Sequence, residues 1–396
     1  MKTVRYGIIG IGNMGFSHLK KFMDGTIENA TVVAVADPKQ ARWDAVKTTF
    51  PEANIALYKD GSDLIQNADV DAVIVATPHY DHPRFSIEAM EKGIAVICEK
   101  PAGVYTKQVK EMNAVADRTG VLFTMMFNQR ANCIYRKMRE IILSGGIGEI
   151  KRINWIITEW YRPQAYYNSS DWRATWAGEG GGVLFNQCPH QLDLIQWVTG
   201  MSPKTVQAHC HFGKWHDIEV EDDVTAYMEY ENGATGVFIT TTGDWPGTNR
   251  FEVCGSGGKI VCESKYREEA TLTYLKTKVD ERQFCFENTK AFGKPETEEI
   301  PVETDGKNLQ HTAILQNFTN ALLGKEELFI KGQEGIMGVE LMDAMMLSGW
   351  LNKPVSLPVD EDLYLEELNK RRATSRKKTV VETAEVVDMS DTFGSK

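Results

Sequence analysis

From residue 6 to about residue 127, short apolar runs alternate with amphipathic stretches, the texture of parallel β-α-β units. Residues 6–9, 31–36, 72–76, 95–98 and 121–126 read as strands, with 85–92 and 107–118 as helices between them. Strands that are apolar throughout belong in a sheet covered on both faces, and right-handed crossovers then predict a doubly wound parallel sheet.

Beyond Asn128 the texture changes. A longer helical segment, 131–143, leads through Gly145-Gly146-Ile147-Gly148 into alternating patterns at 150–160, 205–211, 224–230, 235–241, 250–254 and 259–262. Glu231-Asn232-Gly233 reads as a hairpin turn between two of them. The alternation predicts a large, mostly antiparallel sheet with few helices. Residues 309–323 and 335–350 are helical again, and 360–378 form a charged helix entering a polar tail. The last dozen or so residues read as a surface arm, on their own subunit or crossing to another.

At 396 residues, 42% of them hydrophobic, the chain exceeds what one core usually serves, so two domains are expected. A formal net charge of −11 argues against a nucleic-acid surface or an anionic membrane as partner. Seven scattered cysteines without a C-x-x-C pair suggest reduced thiols in a cytoplasmic protein. The N-terminus runs straight into the first strand with no signal-like segment, and no apolar stretch is long enough to span a membrane.

The candidate chemistry begins at Gly10-Ile11-Gly12-Asn13-Met14-Gly15, which follows an apolar strand and opens a helix. In that context the first glycine permits a tight turn, the second admits a pyrophosphate to the backbone, and the third lets helix and strand pack closely. Asp37 closes the next strand, 22 residues beyond Gly15, where a carboxylate can accept both ribose hydroxyls and repel a 2′-phosphate. NAD is therefore expected; Arg42, one helical turn on, keeps NADP open. Ligands in such sheets sit beyond the carboxyl ends of the strands, which brings Thr77-Pro78-His79, Glu99-Lys100-Pro101 and Asn128 to the nicotinamide half. For His79 and His82, a helix-start role is the alternative to a cofactor contact.

The expected organisation is thus α/β: a Rossmann domain with a doubly wound parallel sheet over 1–128, an α/β domain for substrate binding and oligomerisation over 129–358, and a C-terminal helix with polar tail over 359–396.

Oxidising an alcohol requires a group that takes the hydroxyl proton and a donor that steadies the developing oxyanion. Lys100, at a strand end beside a cationic nicotinamide, suits the second role. A second cluster runs from Glu179 through Gly180-Gly181-Gly182 to Asn186, His190 and Asp193, three polar positions at i, i+4 and i+7 amid apolar neighbours. Pro189 must kink or restart that helix. His190 is the natural proton acceptor near neutral pH. Upstream, Trp160-Tyr161-Arg162 and the stretch 166–173 combine aromatic faces with hydrogen-bonding groups, as a polyhydroxylated ligand or a packed loop cover would need. Trp172 and Arg173 are the stronger candidates there, and His311 a weaker one. His209, Cys210, His211 and His216 beside the acidic run 219–223 invite a metal site, but the alternating directions of strand side chains leave the set incomplete, and no metal is expected.

Taken together, Gly10–Gly15, Glu99-Lys100-Pro101, the block Gly180–Asp193, the Gly233 hairpin and the segment 251–258 resemble the glucose-fructose oxidoreductase / inositol dehydrogenase / MocA (Gfo/Idh/MocA) family over most of the chain. The resemblance implies a Rossmann domain followed by a large open sheet, NAD as cofactor, and Lys100 and His190 acting on a hydroxyl of a sugar, glycoside or cyclitol. With the open sheet it also implies a homodimer or homotetramer. One departure stands out: inositol dehydrogenase-like members carry Asp where this chain has Asn186, and an amide cannot take a proton. A glycosidase that keeps its NAD and oxidises the sugar transiently, and a non-catalytic NAD sensor, are the rival readings.

Overall fold

The fold was analysed on a computed structural model, which describes residues 3–264 and 270–378. The first half builds a six-stranded sheet of β1 (Val4–Ile9), β2 (Ala30–Ala36), β3 (Ala56–Tyr58), β4 (Ala72–Val75), β5 (Ala95–Cys98) and β6 (Phe123–Met125). All its pairings are parallel and the order is β3-β2-β1-β4-β5-β6, so the sheet reverses direction between β1 and β4. Every residue of β4 and β5 is buried, as helices on both faces demand of a parallel sheet. That reversal opens the crevice in which such sheets take their ligands.

The second half contributes β7 (Ile150–Ile157), β8 (Thr205–Phe212), β9 (Glu221–Glu229), β10 (Thr235–Thr241), β11 (Asn249–Gly255), β12 (Gly258–Ser264), β13 (Thr271–Thr277), β14 (Thr297–Ile300) and β15 (Val355–Ser356). They form one nine-stranded sheet in the order β14-β13-β12-β11-β7-β10-β9-β8-β15. Only β7 and β10 run parallel; the other pairs are antiparallel. Gly233, at φ +81°, turns β9 into β10 with the expected hairpin. One face packs on helices Cys133–Leu143 and Gly335–Leu351, with helix Pro189–Thr199 against both, and there Trp155 stacks on Phe251 at 4.2 Å and leans on Tyr135. The other face is open among the described residues, with His209 and Tyr227 exposed.

Several elements end earlier than periodicity suggests. Strand β7 stops at Ile157 because residues 158–163 leave the sheet, where Arg162 N–H donates to the Thr242 carbonyl. Pro189 does restart the helix, standing at the first turn of Pro189–Thr199 after a short helix Val183–Asn186. The C-terminal helix spans only Glu361–Ala373, capped by Asp360 on Leu363 N–H, and residues 374–378 continue without regular structure. The expected surface arm lies outside the described residues. Among the described residues, no helix is long and apolar enough to cross a membrane.

Candidate active site

The glycine turn after β1 serves two different ends. A Cβ on Gly15 would stand 1.9 Å from the Gly10 carbonyl oxygen, and one on Gly10, itself at φ +91°, 2.6 Å from that of Ala76. Those two glycines let the turn close. A Cβ on Gly12 would meet nothing within 4 Å, so its face stays open as a cradle for a pyrophosphate. Gly12 is also the N-cap of helix Asn13–Met23, with no side chain capping it, and the positive end of the helix dipole favours an anion there. Asp37 sits against the same turn: its Oδ2 accepts from Ile11 N–H at 2.9 Å and its Oδ1 from Lys39 N–H at 3.0 Å. An ionised carboxylate keeps further acceptor sites, which suits ribose hydroxyls.

Beyond the ends of β4 and β5 the polar groups crowd. Thr77 keeps its hydroxyl buried with no partner among the described residues, a group left over for a ligand. The His82 ring lies between two carbonyls, Nδ1 2.7 Å from Pro101 O and Nε2 2.8 Å from Thr77 O, and so brackets the two strand ends. It caps no helix: the N-cap position is Tyr80. His79 packs edge-on against Trp172 at 5.6 Å, with Nδ1 3.2 Å from Glu179 O. Burial, aided by the charges of Lys100 and Arg173, holds His79 neutral well below its ordinary range. Glu99 accepts from His18 Nε2 at 2.7 Å. Burial alone would raise the Glu99 carboxyl, but that hydrogen bond and the nearness of His18, His311 and Lys100 hold it at about 2.

Lys100 and His190 come together. The Lys100 ammonium donates to the backbone carbonyl of Asn186 at 2.8 Å, and burial lowers its pKa against the support of Glu99. His190, 9% exposed, feels the charges of Lys100, His311 and Glu99. Burial first, then Lys100 and His311, push it well below its ordinary value, and its Nδ1 is buried without a partner among the described residues. His311 belongs to the same cluster, its ring 5.6 Å from that of His18 and its pKa driven down to about 3, chiefly by burial.

Asn186 is tied on its far side to Glu179, which opens the second cluster but to which the sequence assigned no role. Its amide N–H donates to Glu179, a carboxylate 1% exposed that also accepts from Ala174 N–H and lies 3.6 Å from the Arg173 guanidinium. Burial raises the Glu179 carboxyl even so. The acid missing at 186 thus stands seven residues upstream and reaches the site through the amide. Tyr166 completes the group, accepting from Arg173 at 2.7 Å and donating to Asn186 Oδ1 at 3.3 Å. Arg173 lies over the rings of both Tyr166 and Trp172, which gives one aromatic and cationic wall. An acid opening a glycine run was the only signal for Glu179. His18, 81 residues from its partner Glu99, left none.

Two expected site residues have other partners. Asp193, expected to bind substrate, is 2% exposed with both carboxylate oxygens taken by Arg130, at 2.8 and 2.6 Å. Restarting the helix at Pro189 breaks the stripe that would have aligned it with Asn186. Asn128, expected at the nicotinamide, donates to Gln310 at 3.0 Å and keeps its Oδ1 buried without a partner among the described residues. As for a metal, both ring nitrogens of His216 are engaged, by Asp222 and the Arg162 carbonyl. Among the described residues no three His, Cys, Asp or Glu groups converge to hold an ion.

The open Gly12 cradle, the unpartnered Thr77 hydroxyl and the placement of Asp37 fit a dinucleotide. Residues 4–127 match the oxidoreductase family with an NAD-binding Rossmann fold, and residues 135–261 match the GFO/IDH/MocA C-terminal domain. The rhizopine catabolism protein MocA of Rhizobium meliloti is 27% identical over 51% of this chain, and the chain spans only 59% of that relative's length. The scyllo-inositol 2-dehydrogenase (NAD(+)) of Bacillus subtilis is 25% identical over 69% of this chain and 78% of its own. Among solved structures, the WlbA dehydrogenase of Chromobacterium violaceum in complex with NADH and UDP-GlcNAcA superposes with a TM-score of 0.76 at 25% identity, covering 91% of this chain and 97% of that one. With a six-stranded parallel sheet carrying the glycine turn and a nine-stranded mixed sheet behind the site, this chain belongs to the Gfo/Idh/MocA family of NAD-binding oxidoreductases.

Proposed function

We propose that the protein interconverts a secondary hydroxyl and a ketone on a sugar, glycoside or cyclitol. The observation that carries this reading is the Lys100 ammonium, anchored on the Asn186 carbonyl beside a neutral His190 with an unpartnered ring nitrogen. Gly10 to Gly15 and Asp37 would hold NAD, with Thr77, Pro78, His79 and Glu99 toward its nicotinamide half. NAD bound there would supply the oxidant, a two-electron acceptor for hydride from the hydroxyl-bearing carbon.

His190 takes the hydroxyl proton, and Lys100 donates to the oxygen as negative charge develops on it. Asn186, held by Glu179, fixes the carbonyl that aims Lys100. Trp172, Arg173 and Tyr166 offer a ring face and hydroxyl-binding groups of the kind a polyol needs. The relatives named for inositol and UDP-GlcNAcA support this substrate class.

NADH formation across a panel of sugars, glycosides and inositols tests the reading. One substrate should turn over, and Lys100→Met or His190→Ala should lower its rate by about 10² to 10⁴ while NADH still binds. No turnover on the whole panel by a protein that binds NADH overturns it. Product release without net NADH points to the glycosidase instead. The open sheet face also supports a homodimer or homotetramer, for which a solution mass equal to the 44.5 kDa chain would be the contrary result.

A further inference from the structure

Trp172 and Arg173 sit on an irregular loop, residues 170–182, that no sheet or helix pairs. A buried loop must find partners for its amides elsewhere. Inside the loop, Thr175 Oγ1 donates to Trp172 O and accepts from Gly178 N–H, and Ala174 N–H goes to Glu179. Glu179 and Gly180 N–H also donate to Thr175 O, and further partners come from outside the loop. Trp176 N–H donates to Glu219 at 2.6 Å, and the Trp176 carbonyl accepts from Tyr80 O–H at 2.7 Å. Ala177 N–H donates to Ser375 Oγ at 3.0 Å.

Ser375 belongs to the segment that follows the C-terminal helix. Its hydroxyl donates to Glu219, the carboxylate that also holds Trp176. Arg376 donates through its backbone N–H to the other oxygen of Glu219 at 2.8 Å, and through its guanidinium to Asp217 at 2.7 Å. At the end of this run the half-buried Lys378 donates to two carbonyls at once, Tyr167 O at 3.1 Å and Arg173 O at 2.8 Å. The helix itself reaches the cofactor half, where Arg372 lies over the Tyr80 ring at 4.7 Å. Residues 374–378 therefore lie as a strap across the back of the loop, and Lys378 is its last described anchor.

We propose that Lys378 is a positioning residue for the substrate site: by joining the carbonyls of Tyr167 and Arg173 it holds Trp172 and Arg173 in place, so that the C-terminal strap sets the affinity for substrate. The choice of substrate site rests on the function proposed above; the pinning of the loop does not. An ammonium with its donors spread over two carbonyls restrains two segments together, and its removal frees both. Arginine presents enough donors to restore the pair, whereas methionine keeps the aliphatic stem and none of the donors.

Full-length wild type, Lys378→Met, Lys378→Arg and Glu219→Gln, each with NADH bound, separate the outcomes. Amide exchange over residues 173–178 should quicken by about tenfold in Lys378→Met and Glu219→Gln and stay near wild type in Lys378→Arg, with NADH affinity and exchange in β1 to β6 unchanged. On whichever panel substrate the wild type oxidises, Lys378→Met should raise KM by at least about fivefold with kcat within about twofold, and Lys378→Arg should restore KM. Unchanged exchange over 173–178 in Lys378→Met, or a defect confined to kcat, overturns the proposal. A wild type that oxidises nothing counts against the dehydrogenase reading alone, and the exchange measurement then decides the role of Lys378.

Discussion

His190, the base of the proposed chemistry, is kept neutral by its burial. Burial and the positive charge of Lys100 disfavour its imidazolium, so the folded enzyme keeps the ring neutral well below the ordinary 6.5. Glu99, held at about 2, stays ionised throughout the same range. The sign for activity follows: the proton-accepting form persists as pH falls, so the acid limb of kcat/KM for oxidation should lie below about 6.5. A limb centred at or above that value would show that His190 is not the base. Lys100 and His190, the pair of the proposed chemistry, could be singled out in the sequence because a Glu-Lys-Pro strand end and a histidine after a glycine run are local patterns. Glu179 was not, since its partners Asn186, Ala174 and Arg173 meet it only through the folded loop.

At the scale of elements, the glycine turn separates folding from binding. A methyl at Gly15 collides with the turn's own backbone, whereas one at Gly12 enters open space. Gly15→Ala should therefore lower stability by about 1–3 kcal/mol, read by denaturant melting of the ligand-free protein. Gly12→Ala should melt like wild type yet bind NADH at least about tenfold more weakly, because the methyl occupies the pyrophosphate's side. Equal NADH affinity in Gly12→Ala would remove the phosphates from that turn. The buried strands β1, β4 and β5 could be read from their apolar runs. The short edge strands β3, β14 and β15 could not: β14 is Thr-Glu-Glu-Ile and almost wholly exposed, so ladder hydrogen bonds with β13 define it, and no hydrophobic pattern does.

Across the whole molecule, buried polar links tie the two sheets' helices together. Arg130, 2% exposed, holds Asp193 on one side and Glu334 on the other. Asp343, fully buried on helix Gly335–Leu351, accepts from both the backbone N–H and the hydroxyl of Thr106, 237 residues away, at the first turn of helix Thr106–Thr119. Removing Asp193 leaves two buried donors of Arg130 without an acceptor and only Glu334 to balance its charge, so Asp193→Ala should destabilise by about 1–3 kcal/mol with KM little changed at temperatures where it stays folded. A stable Asp193→Ala with a collapsed KM would return Asp193 to the substrate site. By itself the sequence determined the fold class, the dinucleotide turn with Asp37, and the lysine and histidine of the proposed chemistry, because each depends on local periodicity or on spacing within one or two elements. Only the tertiary structure decided that Asp193 pairs with Arg130, that Glu179 stands behind Asn186, and that Lys378 joins the carbonyls of Tyr167 and Arg173. Those roles come from hydrogen bonds between residues far apart along the chain, which no local pattern encodes.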